Sequence, residues 1–183
     1  MNSVRSFIED KLKLKVNRNK STVDRPWRRK FLGFSFTWNM EPKVRIAKES
    51  MVRMKKKIRE ITSRKKPFRM EYRIEKLNQY LIGWRGYFAL ADTPSIFRNL
   101  DSWIGRRLRM CMWKDWKLPR TKVRKLTDLG ASFEKAYEWG NTRKKYWRIS
   151  NSPILHSTLG NTYWDSQGLK RLESRYKFLR HLS

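Results

Sequence analysis

The sequence predicts a mainly α-helical chain, in which a helix and a small β-hairpin lead into a three-helix bundle and then into a short, irregular helical C-terminal region. Three observations carry this prediction. Apolar residues recur at spacings of three and four from residue 48 onward. Period-two alternation is confined to about the first 47 residues, and turn residues divide the last third into short segments.

The opening predicts a helix over 2–12, with Val4, Phe7, Ile8 and Leu12 on one face. Alternation in Lys11-Leu12-Lys13-Leu14-Lys15-Val16 then predicts a half-buried strand, and Asn17-Arg18-Asn19-Lys20-Ser21 a turn. Lys30-Phe31-Leu32-Gly33-Phe34-Ser35-Phe36 reads as a second strand and Lys43-Val44-Arg45-Ile46-Ala47 as a third. One helix and a few strands bury little by themselves, so this piece reads as the edge of a larger sheet.

From residue 48 the period changes. Met51, Met54, Ile58 and Ile61 mark one helix, bounded by Pro67. Met70, Ile74, Leu77, Leu81, Trp84 and Phe88 draw an apolar stripe along a second, over 69–91. Thr93 as N-cap and Pro94 in the first turn open a third, whose apolar face carries Phe97, Leu100, Ile104, Leu108 and Cys111 and which Leu118-Pro119 ends. Short links make these three a bundle. Further helices are expected over 121–129, 132–139 and 168–180 between the turn signals at Gly130, Gly140-Asn141, Ser150–Pro153, Gly160-Asn161 and Gly168.

Charge dominates the composition. The 183 residues hold 45 Lys and Arg against 16 Asp and Glu, a formal charge of +29. Self-repulsion on that scale calls for a polyanionic partner, nucleic acid first and an anionic membrane second. No stretch approaches the ~20 uninterrupted apolar residues that a membrane-spanning helix requires. The N-terminus lacks the apolar core of a secretory signal. The expectation is an intracellular protein, cytoplasmic or organellar, that is not secreted and has no membrane partner. Cys111 lies in an apolar run and reads as a buried structural thiol. One cysteine and two histidines cannot build a Cys/His zinc site.

The cations are clustered. Arg53, Lys55, Lys56, Lys57, Arg59, Arg64, Lys65 and Lys66 face only Glu60 among acids, and Arg106, Arg107, Arg109, Lys114, Lys117, Arg120, Lys122, Arg124 and Lys125 face only Asp115. Trp113, Trp116, Trp139 and Trp147, with Tyr137 and Tyr146, are interleaved with arginine and lysine, a pattern suited to phosphate contacts beside base stacking. These cations, together with Arg85, are the candidate RNA contacts. The triplet Arg106, Arg107 and Arg109 ranks first, because guanidinium forks grip phosphate oxygens in pairs. Trp84 and Trp103 are assigned to the bundle core.

Leu77-Asn78-Gln79-Tyr80-Leu81-Ile82-Gly83-Trp84-Arg85-Gly86-Tyr87-Phe88 resembles the L-x-x-x-L-x-G-W-x-x-Y-F signature of group II intron-encoded reverse transcriptases and maturases. Leu100-Asp101-Ser102-Trp103-Ile104-Gly105-Arg106-Arg107-Leu108-Arg109 is similar to the L-D-x-W-I-x-R-R-L-R that follows it in that family, and Leu12–Ser21 and Arg29–Phe36 resemble its last palm motifs. The resemblance implies three regions: residues 1–47 as the C-terminal edge of a reverse transcriptase palm, 48–120 as the maturase X/thumb bundle, and 121–183 as a DNA-binding region. It also implies a protein that grips intron RNA, promotes its splicing and copies RNA into DNA during intron mobility, with target DNA as a second partner.

The sequence departs from the family at the chemistry. Copying needs two magnesium ions held by clustered aspartates. Here Asp10, Asp24, Asp92, Asp101, Asp115, Asp128 and Asp165 are scattered and no two are adjacent. The expectation is therefore an RNA-binding maturase fragment with no catalytic residues and no cofactor of its own, magnesium belonging only to a complete enzyme. On this reading Met1 falls where the palm is already half built, and Ser183 closes a lineage without an endonuclease. The alternative is the thumb and DNA-binding part of an active RNA-directed DNA polymerase whose palm lies elsewhere. A basic module for anionic membrane is a third.

Overall fold

A computed structural model describes residues 2–17, 21 and 23–181. Over these residues it is mainly helical, with one antiparallel hairpin. The chain starts as α1 (Asn2–Ser6), which continues into a π-helical turn, Phe7–Lys11. The strand expected over 11–16 does not form. Lys13 takes φ 54°, outside the extended region, and the amides of Leu12 and Leu14 donate back to the carbonyls of Phe7 and Ile8. Residues 18–20 of the expected turn lie outside the described residues.

The two later strands do pair. β1 (Phe34–Phe36) runs antiparallel to β2 (Val44–Ile46), with Ser35 opposite Arg45. Gly33 enters β1 at φ +82°, and a Cβ there would stand 3.0 Å from Ser50 Oγ and 3.3 Å from Phe88 Cζ. Both the backbone angle and the close approach select glycine. A two-stranded ribbon is marginal alone, and this one is fastened to the second bundle helix. The Tyr87 hydroxyl donates to Leu32 O at 2.6 Å, and the Phe34 ring packs 5.5 Å from Tyr87 and 5.1 Å from Phe88. Asp92 closes the outer edge of β2, its amide donating to Val44 O and its carboxylate accepting from Val44 N.

The bundle consists of α2 (Lys48–Ile61), α3 (Met70–Phe88) and α4 (Pro94–Asp115). Its apolar stripes turn inward as their spacing demands: Met54, Ile58, Leu77, Leu81, Phe97, Ile104 and Leu108 are all buried. Trp84 packs 4.6 Å from Phe88 and 5.9 Å from Phe97, tying α3 to α4. Thr93 stands at the N-cap position, but its side chain makes no capping bond and its buried Oγ1 has no partner among the described residues. α4 ends at Asp115 rather than at Leu118, and Pro119 instead opens α5 (Pro119–Asp128).

α5 and α6 (Phe133–Gly140) form a tight helical hairpin, turned by Gly130 at φ +89°. The irregular C-terminal region holds three short helices that the turn-rich sequence did not signal: α7 (Tyr146–Ile149), α8 (Pro153–Thr158) and α9 (Asn161–Ser166). α10 (Leu172–His181) begins four residues later than expected and packs across α4 and α3. Asp101 of α4 accepts from the amides of Leu172 and Glu173, both at 2.9 Å, so a bundle carboxylate caps α10. Asn78 of α3 donates to Gly168 O and accepts from Lys170 N, each at 2.8 Å. Tyr176 stacks 4.6 Å from Phe97 and donates to Ala91 O. One continuous apolar core therefore runs from Ile46 through the bundle to Tyr176.

Candidate nucleic-acid interface

The turn that follows α2 organises the basic surface. A helix C-terminus leaves its last carbonyls without intrahelical partners, and here cations from two other helices satisfy them. Arg73 of α3, buried to 1% exposure, donates to the carbonyls of Ile61, Ser63, Lys66 and Phe68 at 2.8–3.1 Å. Arg107 of α4 donates to the carbonyls of Arg59 and Thr62 and to Thr62 Oγ1. Lys114 donates to Arg64 O, and the Cys111 thiol to Thr62 O. Three cations thus serve seven carbonyls of residues 59–68. Burial depresses the pKa of Arg107 and raises that of Cys111, which makes the cysteine a poor nucleophile.

This clamp joins the two basic clusters of the sequence into one surface. Arg59, Arg64, Lys65, Arg107 and Lys114 line a groove of about 440 Å³, completed by Ser63, Met110 and Tyr146. No carboxylate lines it. Aromatic rings lie among the cations: Arg64 sits 4.9 Å over Tyr146, Arg106 4.1 Å over Trp147, and Lys55, Arg59 and Arg107 surround Trp103 at 5.4–6.0 Å. Such cation–π pairs hold the guanidinium planes flat while leaving their edges to phosphate. Among the described residues the ion pairs lie elsewhere, joining Asp24 to Arg29, Glu49 to Lys30, Glu173 to Arg98 and Lys177, and Asp165 to Arg171.

The other candidates are distributed around this seam. Arg53, Lys56 and Lys57 are exposed on α2, and Lys57 and Lys66 border a neighbouring groove with Phe68 and Tyr72. Arg85 is half-buried on α3. Lys117 and Lys125 are exposed. Arg120 and Arg124 line a separate groove between α5 and α6 beside the exposed Phe133 and Tyr137, and Lys122 lies 4.9 Å over the ring of Trp113.

The arginine triplet divides. It stands within α4 and not around a helix end. Arg106 reaches the surface, and Arg107 is half-spent on the clamp. Arg109 is 4% exposed, with Nε donating to Ser150 O at 2.9 Å and Nη1 to Leu159 O at 3.4 Å, so its fork is turned into the protein. Its pKa is pushed down to about 10, first by burial and then by the neighbouring charge of Arg106. Trp113 and Trp116 are also core residues, at 1% and 7% exposure, whereas Tyr146 and Trp147 remain open. The position of Arg109, four residues before the buried Trp113, carried the signal that it points inward. Arg73 carried the same signal, three residues after Met70 and four before Leu77. Trp103, assigned to the bundle from sequence, packs partly buried against the bundle core, with Lys55, Arg59 and Arg107 around its ring.

Residues 51–130 match the family model of the group II intron, maturase-specific domain. Over that stretch the chain is similar to this domain. The match supports an intron maturase role and implies a group II intron RNA partner. No curated protein matches the chain. Within the matched residues lie both basic clusters and the clamp, while Tyr146 and Trp147 reach the seam from beyond the match. Among the described residues no group of three His, Cys, Asp or Glu side chains could hold a metal ion. No described helix is long and apolar enough to cross a membrane.

Proposed function

We propose that the chain binds group II intron RNA along the seam between the turn after α2, the middle of α4 and α7, and assists splicing by holding that RNA in a folded arrangement. The observation that carries this reading is the convergence of cations from both clusters with Tyr146 on one groove that no carboxylate lines, with Arg106 stacked on Trp147 nearby. Exposed arginines and lysines neutralise phosphates and release counterions, while open aromatic rings stack on unpaired bases. The clamp holds the turn rigid, so these contacts require little ordering when RNA arrives. Target DNA, as a second polyanion, would compete for the same cations.

Ultraviolet crosslinking of the full chain to intron RNA, followed by mass spectrometry, tests the placement. Adducts are expected in peptides holding residues 59–66, 103–114 and 146–147. Adducts confined to α1 or α10 would refute it.

A further inference from the structure

Arg109 is a buried cation without a carboxylate. Nε and Nη1 donate to main-chain carbonyls, and Nη2 lies 3.3 Å from His156 Nε2. That histidine nitrogen also lies 3.3 Å from Asn151 Oδ1. The contacts of Arg109 use three of the five guanidinium N–H groups, so the fork keeps unspent donor capacity. Burial and the charges of Arg109 and Arg106 lower the pKa of His156, which leaves the guanidinium as the fixed charge here. A second donor waits beside it. Trp164 is 1% exposed, and its indole Nε1 has no partner among the described residues. Both groups border Gly105, where a Cβ would stand 3.5 Å from Arg109 Nη1 and 4.0 Å from Trp164 Nε1. A glycine in the interior of α4 weakens the helix, yet it opens space above these donors.

Gly105 and Arg109 line a cavity of about 230 Å³ between α4, α8 and the start of α10, which Trp164 adjoins through Gly105; it is wide enough for several volumes of ~30 Å³, the share of one water. Arg98, Arg171, Asp101 and Glu173 also line it. Their charges are committed elsewhere: Glu173 pairs with Arg98 and Lys177, Arg171 with Asp165, and Asp101 caps α10. What remains is one uncompensated guanidinium with an orphan N–H at its side.

We propose that this cavity is a phosphate-binding site, in which Arg109 and the Trp164 indole N–H hold the oxygens of a phosphate group and Gly105 supplies the room. A guanidinium paired with a neutral N–H suits a tetrahedral anion, because charge-assisted hydrogen bonds gain most where water is excluded. The phosphate could be free, a terminal monoester or a backbone diester of RNA. The site shares no lining residue with the groove of the seam, so its failure would leave the RNA-binding reading standing.

The Trp164 indole resonance in ¹⁵N-correlated NMR spectra of the full chain reports on the site directly. Titration with inorganic phosphate at constant ionic strength is expected to move that resonance saturably. Gly105→Ala is expected to weaken the response about tenfold, in line with a lost charge-assisted hydrogen bond. Its Cβ meets only ordinary van der Waals contacts, so the fold persists and the other indole resonances stay in place. Arg109→Lys, which keeps the charge and loses the fork, is expected to weaken binding similarly. Comparing 5′-phosphorylated and 5′-hydroxyl oligoribonucleotides separates the sources: a larger shift with the former assigns a terminal monoester, equal shifts a backbone diester, and a shift with inorganic phosphate alone the free ion. An indole resonance that does not move, moves equally with chloride, or responds unchanged in Gly105→Ala would overturn the proposal.

Discussion

Replacing Arg59, Arg64 and Lys65 together by glutamine is expected to weaken RNA affinity about a hundredfold at low salt and to reduce the slope of log K against log salt by roughly 2–3. The three side chains are exposed and border the groove, and none of them donates to the clamp. Each neutralised phosphate contributes about 0.9 to the salt slope on duplex RNA or DNA and about 0.7 on single strands. Arg59 and Arg64 also lose their positions over Trp103 and Tyr146. Surface replacements of this kind leave stability within about 0.5 kcal/mol. Circular dichroism should therefore show unchanged helicity beside the lost affinity. Nitrocellulose filter binding across a salt series measures both quantities, and an affinity within about twofold of wild type would remove the seam from the RNA interface.

Arg73→Met is expected to cost ~3–5 kcal/mol of folding stability, because it leaves several buried carbonyl acceptors without a donor. The methionine fills much of the same volume but cannot donate to the carbonyls of Ile61, Ser63, Lys66 and Phe68. Each buried acceptor left unpaired costs about 1–3 kcal/mol, reduced where water reaches the relaxed turn. Arg73→Lys should recover only part of the loss, because one ammonium cannot span four acceptors arranged around a planar fork. Urea unfolding followed by tryptophan fluorescence checks this. A loss below about 1 kcal/mol would show that the turn after α2 is held by something other than Arg73. The same variant should loosen residues 61–66, which separates it from the seam variant: it loses stability first and RNA affinity as a consequence.

The bundle was legible in the sequence because its stripes are long and regular. Met54 and Ile58, Leu77 and Leu81, and Ile104 and Leu108 stand at helical spacing and are buried as that spacing requires. The strand over 11–16 was misread because alternating lysines satisfy a period of two without any partner strand to pair with, and local turns took their amides instead. The short helices α7, α8 and α9 were hidden for the opposite reason. Four to six residues cannot display a period of 3.6, and tertiary contacts such as Arg109 with Ser150 and Leu159 hold the region in place.

The interface was half legible. The clusters at 53–66 and 106–125 were visible as charge, but not their division into outward and inward members. Arg59, Arg64 and Lys65 face solvent, whereas Arg107 and Lys114 cap a turn and Arg109 enters the core. Counting charge cannot separate these roles; helical position relative to the apolar stripe can. The family signature shows the same distinction. Trp84 and Phe88 are core, Tyr87 fastens the β-hairpin, and Asp101 caps α10, so much of what makes the motif recognisable builds the fold.

On the proposed reading, residues 51–130 and α7 present a rigid cationic seam for intron RNA. The most direct measurement is competitive binding of the full chain to a folded group II intron RNA and to an unrelated structured RNA of equal length and charge, across rising salt. A seam that combines phosphate contacts with stacking at Tyr146, Trp147 and Trp103 predicts a preference for the intron that widens as salt removes the common electrostatic part. Equal affinities that fall together with salt would contradict it.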